Sequence, residues 1–390
     1  MRSSIILSSV GILALACWLL DTPVSAHGTV IANFPTGTGA YGNLEPDGSG
    51  SLYGTAVYMN GNGGIYRLKK KAGSWTYQVM HSFDGNEGTN PYAGLTINPD
   101  TGELYGTTNS GGPNQDGTVF SFKPSGNGGS LTVLHSFSGQ DGALVSTGLL
   151  RDKQTGTLYG TSEYGGRYGC GTVYALAPSD GSWTFTTLYE FRSDTDGCFP
   201  QTQVQFGPEP GTLIGATSYG HSGAGTIYEL VAKSGTWTKT TLYSLQPGTD
   251  GSDPTDIAVS PDGTVYGLAE KDGGHTVVFQ LALQHNKWAY RIIDDLASKG
   301  SGPGGIDLDA NTGTIYGATK FGGFSNQGLL FKLVLMGHSW NETVLQKFKN
   351  AARDGERPQS RPLFDSTTGE LYLATSLGGA NGGGTVYVVP

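Results

Sequence analysis

Basic residues are scarce in this chain: 23 lysines and arginines stand against 32 aspartates and glutamates, a formal net charge of −9. That balance argues against nucleic acid and anionic membranes as general partners, and favours metal cations or neutral polymers. Beyond the first 26 residues there is no long apolar run, so no membrane insertion is expected of the remainder. No segment holds a helical period over several turns. The local signatures GxSxG, HExxH, CxxC and the glycine-lysine phosphate loop are all missing, which excludes the enzymes those motifs define. Glycosidases and lyases that work through paired carboxylates carry no local signature and are not excluded.

The one apolar run, Ile5 to Leu20, is about 16 residues long against the roughly 20 that span a bilayer. It follows Arg2 and precedes Val24-Ser25-Ala26, the arrangement of a secretory signal cut after Ala26. The expectation is a signal over 1–26 and a single domain over 27–390, exported to the cell surface, the periplasm or the medium. Lipidation at Cys17 is the lesser reading, because Ala14 stands where leucine is usual. Cysteine is also sparse, with three in all. Past the signal only Cys170 and Cys198 remain, and an oxidising address invites a disulfide between them.

What the chain has in quantity is glycine, 64 residues, together with 11% aromatics. Disordered linkers do not carry that many rings; tight turns between buried strands do. The stretch LYGTTNSGGPNQDGTVF (104–120) returns as LYGTSEYGGRYGCGTVY (158–174). Aligned on its tyrosine, the phrase occurs at Tyr53, Tyr105, Tyr159, Ile214, Tyr266, Tyr316 and Tyr372, seven copies spaced by 50 to 56 residues. Each copy adds a GTVY-like strand, a strand such as VLHSF, and a short strand such as AGLTI ahead of LYGT. NPDTGE and SPDGT provide hairpin turns, with Asp or Asn opening the turn and Gly taking the positive φ.

Four strands per unit of about 50 residues predict an all-β fold, a seven-bladed β-propeller of four-stranded antiparallel blades. The last copy lacks a fourth strand while an orphan, TVIANF, precedes the first. The N-terminal strand is therefore expected to complete the last blade, which removes two unpaired sheet edges.

VMHSF (79–83), VLHSF (133–137), LYGTT (104–108) and GTVF (117–120) resemble the repeat of the GloVer tandem-repeat proteins of bacteria. The resemblance covers nearly all of the chain after the signal and implies export to the surface, with no particular activity. Kelch propellers share the repeat length and a glycine doublet, but LYGT is not their signature.

Positions held in every copy are explained by the fold, so the LYGT tyrosines and Trp75, Trp183, Trp237, Trp288 and Trp340 are read as packing. The same argument removes His81 and His135, whose strand position holds Tyr189 and Tyr243 elsewhere. An acid precedes glycine between successive units at Glu87, Asp141, Asp196, Asp250 and Asp354. These acids either shape turns or ring a channel mouth open to a cation; turn formation is the simpler reading, and no metal or cofactor is assigned. The loop between the second and third strands differs from copy to copy and faces the same side. Its candidate ligand-binding residues are Glu163, Tyr164, Arg167, Tyr219, His221, Glu270, Lys320 and Phe321, rings and charges suited to the sugar faces and hydroxyls of a polysaccharide. The expected function is a monomeric, non-catalytic module that binds polysaccharide or a cell-surface protein. The alternative is a glycoside hydrolase or lyase using Glu163 and Glu270 beside His221, and no catalytic residue is assigned.

Overall fold

The computed structural model describes residues 28–192, 196–220, 222–323, 325–349 and 351–390; the expected signal and His221 lie outside them. Strands make up 57% of the described residues and helix 2%. The second repeat shows the unit: Thr96–Ile97, Leu104–Thr108, Thr118–Ser125 and Gly128–Ser136 form one antiparallel sheet in sequence order. The first, third and fourth repeats build the same four-stranded sheet. A bridge between His275 and Ser301 merges the fifth and sixth into one eight-stranded sheet. In the last repeat, Leu371–Leu377 pairs with Thr385–Val389, whose other edge takes Thr29–Asn33 in antiparallel register.

Three letters of LYGT have separate physical tasks. The tyrosine lies against a tryptophan of the neighbouring repeat, as in Tyr105 with Trp183, Tyr159 with Trp237, Tyr266 with Trp340 and Tyr372 with Trp75, at centroid separations of 5.6, 6.2, 5.7 and 6.1 Å. The glycine faces the ring that closes GTVY on the next strand. A Cβ on Gly54 would come within 2.3 Å of the Tyr66 hydroxyl, and one on Gly106 within 2.5 Å of Phe120. The threonine reaches into the next repeat: the Thr55, Thr107 and Thr161 hydroxyls donate to the carbonyls of Ala93, Thr147 and Thr202 at 2.6, 3.0 and 3.2 Å.

Those bonds account for a departure from expectation. The innermost strands were expected to run about five residues, yet in the first four repeats they are two residues long. In the second, third and fourth repeats their leading carbonyls are taken by threonine hydroxyls, so burial is satisfied without extending the ladder. Only the fifth and sixth repeats form long inner strands, Ser252–Val259 and Gly300–Asp309.

Seven buried apolar clusters occur among the described residues, each shared by two repeats. One unites Phe34 of the N-terminal segment and Tyr372 and Val386 of the last repeat with Leu44, Leu52 and Tyr66 of the first. Phe34 is fully buried, 4.8 Å from the Tyr66 ring and 5.2 Å from Tyr77. Cys170 and Cys198 form a disulfide with Cα atoms 4.6 Å apart, tying a variable loop of the third repeat to the entry of the fourth.

Phe34→Ala empties the pocket that joins first and last repeats, and is expected to lower unfolding stability by about 3–5 kcal/mol, read as a fall in the denaturation midpoint. Replacing both Cys170 and Cys198 by serine is expected to cost about 3 kcal/mol through the freed loop; equal midpoints with and without reductant would contradict this.

Candidate binding site

In every repeat the inner position is reached through a segment ending in an apolar residue, for example Tyr92-Ala93-Gly94-Leu95 and Gln201-Thr202-Gln203-Val204. The apolar residue goes into the core while its predecessor turns away from it. Asn43, Gly94, Gly148, Gln203, Asp256, Gly305 and Arg361, one from each repeat, line a single cavity of 140 Å³. Above them stand Tyr41, Tyr92, Ser146, Gln201 and Gln359. Pseudo-symmetry places seven equivalent positions together, and the chain fills three with glycine and the other four with Asn, Gln, Asp and Arg.

Arg361 spans the cavity. Its Nε and Nη2 donate to the two carboxylate oxygens of Asp256 at 3.2 and 2.6 Å, and Nη2 also reaches the Ile257 carbonyl at 3.1 Å. The backbone amide of Ile306 completes the Asp256 carboxylate at 3.0 Å. Further along, a second cavity of 180 Å³ has Glu45, Asp307 and Arg361 in its wall. Burial raises the Asp307 carboxyl, against the opposing pull of Arg361. Burial likewise pushes Glu45 up to about 7, although the Ile97 amide donates to it at 3.1 Å.

At the mouth, three phenol rings gather. Tyr41 lies edge-on to Tyr92 at 5.5 Å and to Tyr58 at 6.4 Å, and the Tyr58 and Tyr92 hydroxyls are 3.4 Å apart. Tyr58 is 45% exposed, so the group is open to a ligand. Burial and the Tyr58 hydroxyl push Tyr92 up to about 12. From the other repeats come charges. Gln201, which lines the same cavity, donates to Glu163 at 3.0 Å. Burial raises the Glu163 carboxyl and the charge of Asp253 adds to it. Burial lowers the Lys320 ammonium, opposed by Asp253 and Glu270. Oδ1 of Asp253 is buried without a hydrogen-bond partner, on a residue held at φ 50°.

Glu163, Glu270 and Lys320 of the expected set thus share one electrostatic neighbourhood around Asp253. Tyr164 packs on Phe199 at 4.8 Å, and Tyr219 is 48% exposed with its backbone paired to Cys198. Phe321 lies under the Arg357 guanidinium at 5.4 Å. Arg167 belongs elsewhere: its amide donates to Glu190 at 2.9 Å, and its guanidinium shares the Tyr168 ring with Arg192. Four of the acids before glycine are held by their own repeats. His81 meets Glu87 at 2.7 Å and His135 meets Asp141 at 2.8 Å, while the Tyr189 and Tyr243 hydroxyls donate to Asp196 and Asp250 at 2.6 and 2.8 Å. Among the described residues, no three His, Cys, Asp or Glu side chains stand together as metal ligands.

Tyr41, Tyr58, Tyr92 and Asp253 were not among the expected site residues. Tyr41 and Tyr92 occupy a position that holds Ser146, Gln201 and Gln359 in other repeats. Comparing the copies at that position, rather than in the second loop alone, would have singled them out.

The Gloeobacter/Verrucomicrobia repeat matches residues 39–279 of this chain. The chain belongs to that repeat family. No curated protein matches its sequence. Among solved structures, an ancestral GH74 enzyme superposes with a TM-score of 0.60 at 11% identity, covering 91% of this chain and 48% of the enzyme. The extracellular domain of a candidate one-component system from B. thetaiotaomicron gives 0.58 at 12% identity, covering 93% and 41%. A candidate 6-phosphogluconolactonase from Bacteroides fragilis gives 0.53 at 16%, covering 87% and 86%. The chain spans under half the length of the first two. At such identities these likenesses speak for a propeller-like fold alone.

In this repeat protein, Glu45 gives the cavity wall a measurable pH response. Its proton is held more tightly folded, near 7, than at the ordinary 4.5 of a free carboxyl. Stability from this group is therefore full below pH 4.5 and declines as pH rises to about 7. Glu45→Gln keeps an acceptor for the Ile97 amide and is expected to flatten that decline in melting temperature between pH 5 and 8.

Proposed function

We propose that this repeat protein is an exported, closed seven-bladed β-propeller, one domain over 27–390, whose cavity mouth binds a neutral polysaccharide without turning it over. One observation carries the reading: a single cavity draws its wall from all seven repeats and opens between three phenol rings and a group of carboxylates with a lysine. Rings stack on the apolar faces of sugars, while carboxylates, Gln201 and Lys320 suit their hydroxyls. Ring closure is supported by the pairing of Thr29–Asn33 with Thr385–Val389 and by the buried cluster that joins last and first repeats. Export is supported by the disulfide. No helix of the described residues is long and apolar enough to cross a membrane.

A second reading, hydrolysis or elimination at the same mouth, is favoured by the unlike environments of neighbouring acids. Burial, with Asp253 nearby, raises the Glu163 carboxyl, and a carboxyl so raised is suited to the general-acid role in glycosidic bond cleavage.

Binding to a panel of neutral oligosaccharides, measured beside reducing-sugar release, separates the two. For the binding module, Tyr41→Ala and Tyr92→Ala are each expected to weaken affinity by about tenfold, the loss of one stacking ring, with no sugar released. Release that disappears in Glu163→Gln would replace the first reading by the second. Binding unchanged by both tyrosine substitutions would overturn the mouth as the site.

A further inference from the structure

The first hairpin turn of each repeat lies at the opposite end of the second strand from the mouth. In the fifth repeat that turn packs onto its neighbour: a Cβ on Gly263 would sit 2.9 Å from Pro208 of the fourth. Where the last repeat meets the first, the turns stand apart. Gly48 and Gly50 have nothing within 4 Å of an added Cβ, and a cleft of 590 Å³ opens between turn 365–369 and turn 47–50. That volume is in the range of small-molecule sites.

The floor of the cleft is apolar and aromatic, with Trp75, Tyr372, Phe364, Leu363 and Ile97. Trp75 meets Tyr372 edge-on at 6.1 Å. The charged groups facing the cleft are Asp47, Asp365, Glu370 and Lys70, three negative against one positive. Both aspartates are fixed by their turns. Asp47 Oδ1 accepts from the amides of Ser49 and Ser51 at 2.8 and 2.9 Å, and Asp365 accepts from the Thr367 amide and the Thr368 hydroxyl at 2.8 and 2.9 Å. Amides pointing at a carboxylate favour its ionised form. Lys70 holds its ammonium 5.5 Å from the centre of the Trp75 ring and 3.5 Å from Glu370, so this wall already takes a cation against an aromatic face.

We propose that the cleft between the first and last repeats is a second ligand site, for a small molecule with a flat apolar body and a positive charge, an aryl-ammonium or related aromatic cation. The body fills the floor between Trp75, Phe364 and Ile97, and the charge lies toward Asp47 and Asp365. A polysaccharide at the mouth and an aromatic cation here occupy opposite ends of the second strands, so each site stands or falls without the other.

The cationic dye thioflavin T and the anionic dye 1-anilinonaphthalene-8-sulfonate serve as probes, titrated into monomeric protein isolated by size exclusion. Saturable, one-to-one thioflavin T binding is expected, with the anionic dye much weaker. Asp47→Asn with Asp365→Asn keeps a turn acceptor at both positions and is expected to weaken thioflavin T by about tenfold, while Lys70→Gln, which removes the competing cation, tightens it by about threefold. Ser366→Trp, on the exposed rim, is expected to abolish binding with the melting temperature unchanged. Absence of saturable binding, equal affinity for both dyes, or indifference to the paired asparagine substitution would each overturn the proposal.

Discussion

A phenol or phenyl ring laid over a glycine is the contact on which the rest of this molecule depends. Tyr66 over Gly54, Phe120 over Gly106, Tyr174 over Gly160 and Tyr228 over Gly215 approach so closely that no other residue fits beneath. The ring buries a large apolar area without forcing the strands apart, and locks the second strand's register to the third. Once that register is fixed, the tyrosine and threonine flanking the glycine can only face the neighbouring repeat. In the first three repeats the sheet is thus bound to the next by a ring and a hydroxyl that its own internal packing has aimed. The last repeat has Leu373 in place of the glycine, opposite Tyr387, and here Gly28 of the N-terminal segment lies close to the Tyr387 ring.

The same geometry creates the cavity. Inner strands whose carbonyls are taken by threonine hydroxyls have no need of a long ladder, so the segments entering them are free to present side chains toward one another. Those positions are too crowded for seven large residues, and glycines stand at 94, 148 and 305 among Asn43, Gln203, Asp256 and Arg361. Arg361 and Asp256 meet from segments 105 residues apart. The bidentate pairing, with the Ile306 amide and the Ile257 carbonyl completing it, satisfies two charges that burial alone would disfavour. The pair ties the fifth, sixth and last repeats together across the cavity.

The conspicuous acids before glycine are occupied by this scaffold. A histidine or tyrosine six or seven residues upstream holds each of four such acids; the carbonyls of Glu87, Asp141 and Asp196 accept from a threonine of the third strand, as Glu87 does from Thr118 at 2.7 Å, and that of Asp250 from the Tyr290 hydroxyl. What is free to meet a ligand is what the scaffold does not repeat: Tyr41, Tyr58 and Tyr92 on one side of the mouth, and Glu163, Asp253, Glu270 and Lys320 from other repeats.

Repeat count, strand composition, the pairing of the N-terminal segment with the last repeat and the two cysteines as partners were legible in the sequence. All are carried by residues close together in the chain or by counting, and local turn chemistry and strand alternation are local properties. The short inner strands, the merging of the fifth and sixth sheets, the Asp253 group, the Arg361 pair and the cleft beside Trp75 were not. Each depends on which side chains from separate repeats arrive at one point, and spacing in sequence says nothing about that until the repeats are packed. The sequence by itself determined a family of tandem β-repeats, because the ring-over-glycine contact recurs in six of the seven copies. Only the tertiary structure decided where the exceptions to the repeat come together, because charge and burial act through space between strands tens of residues apart.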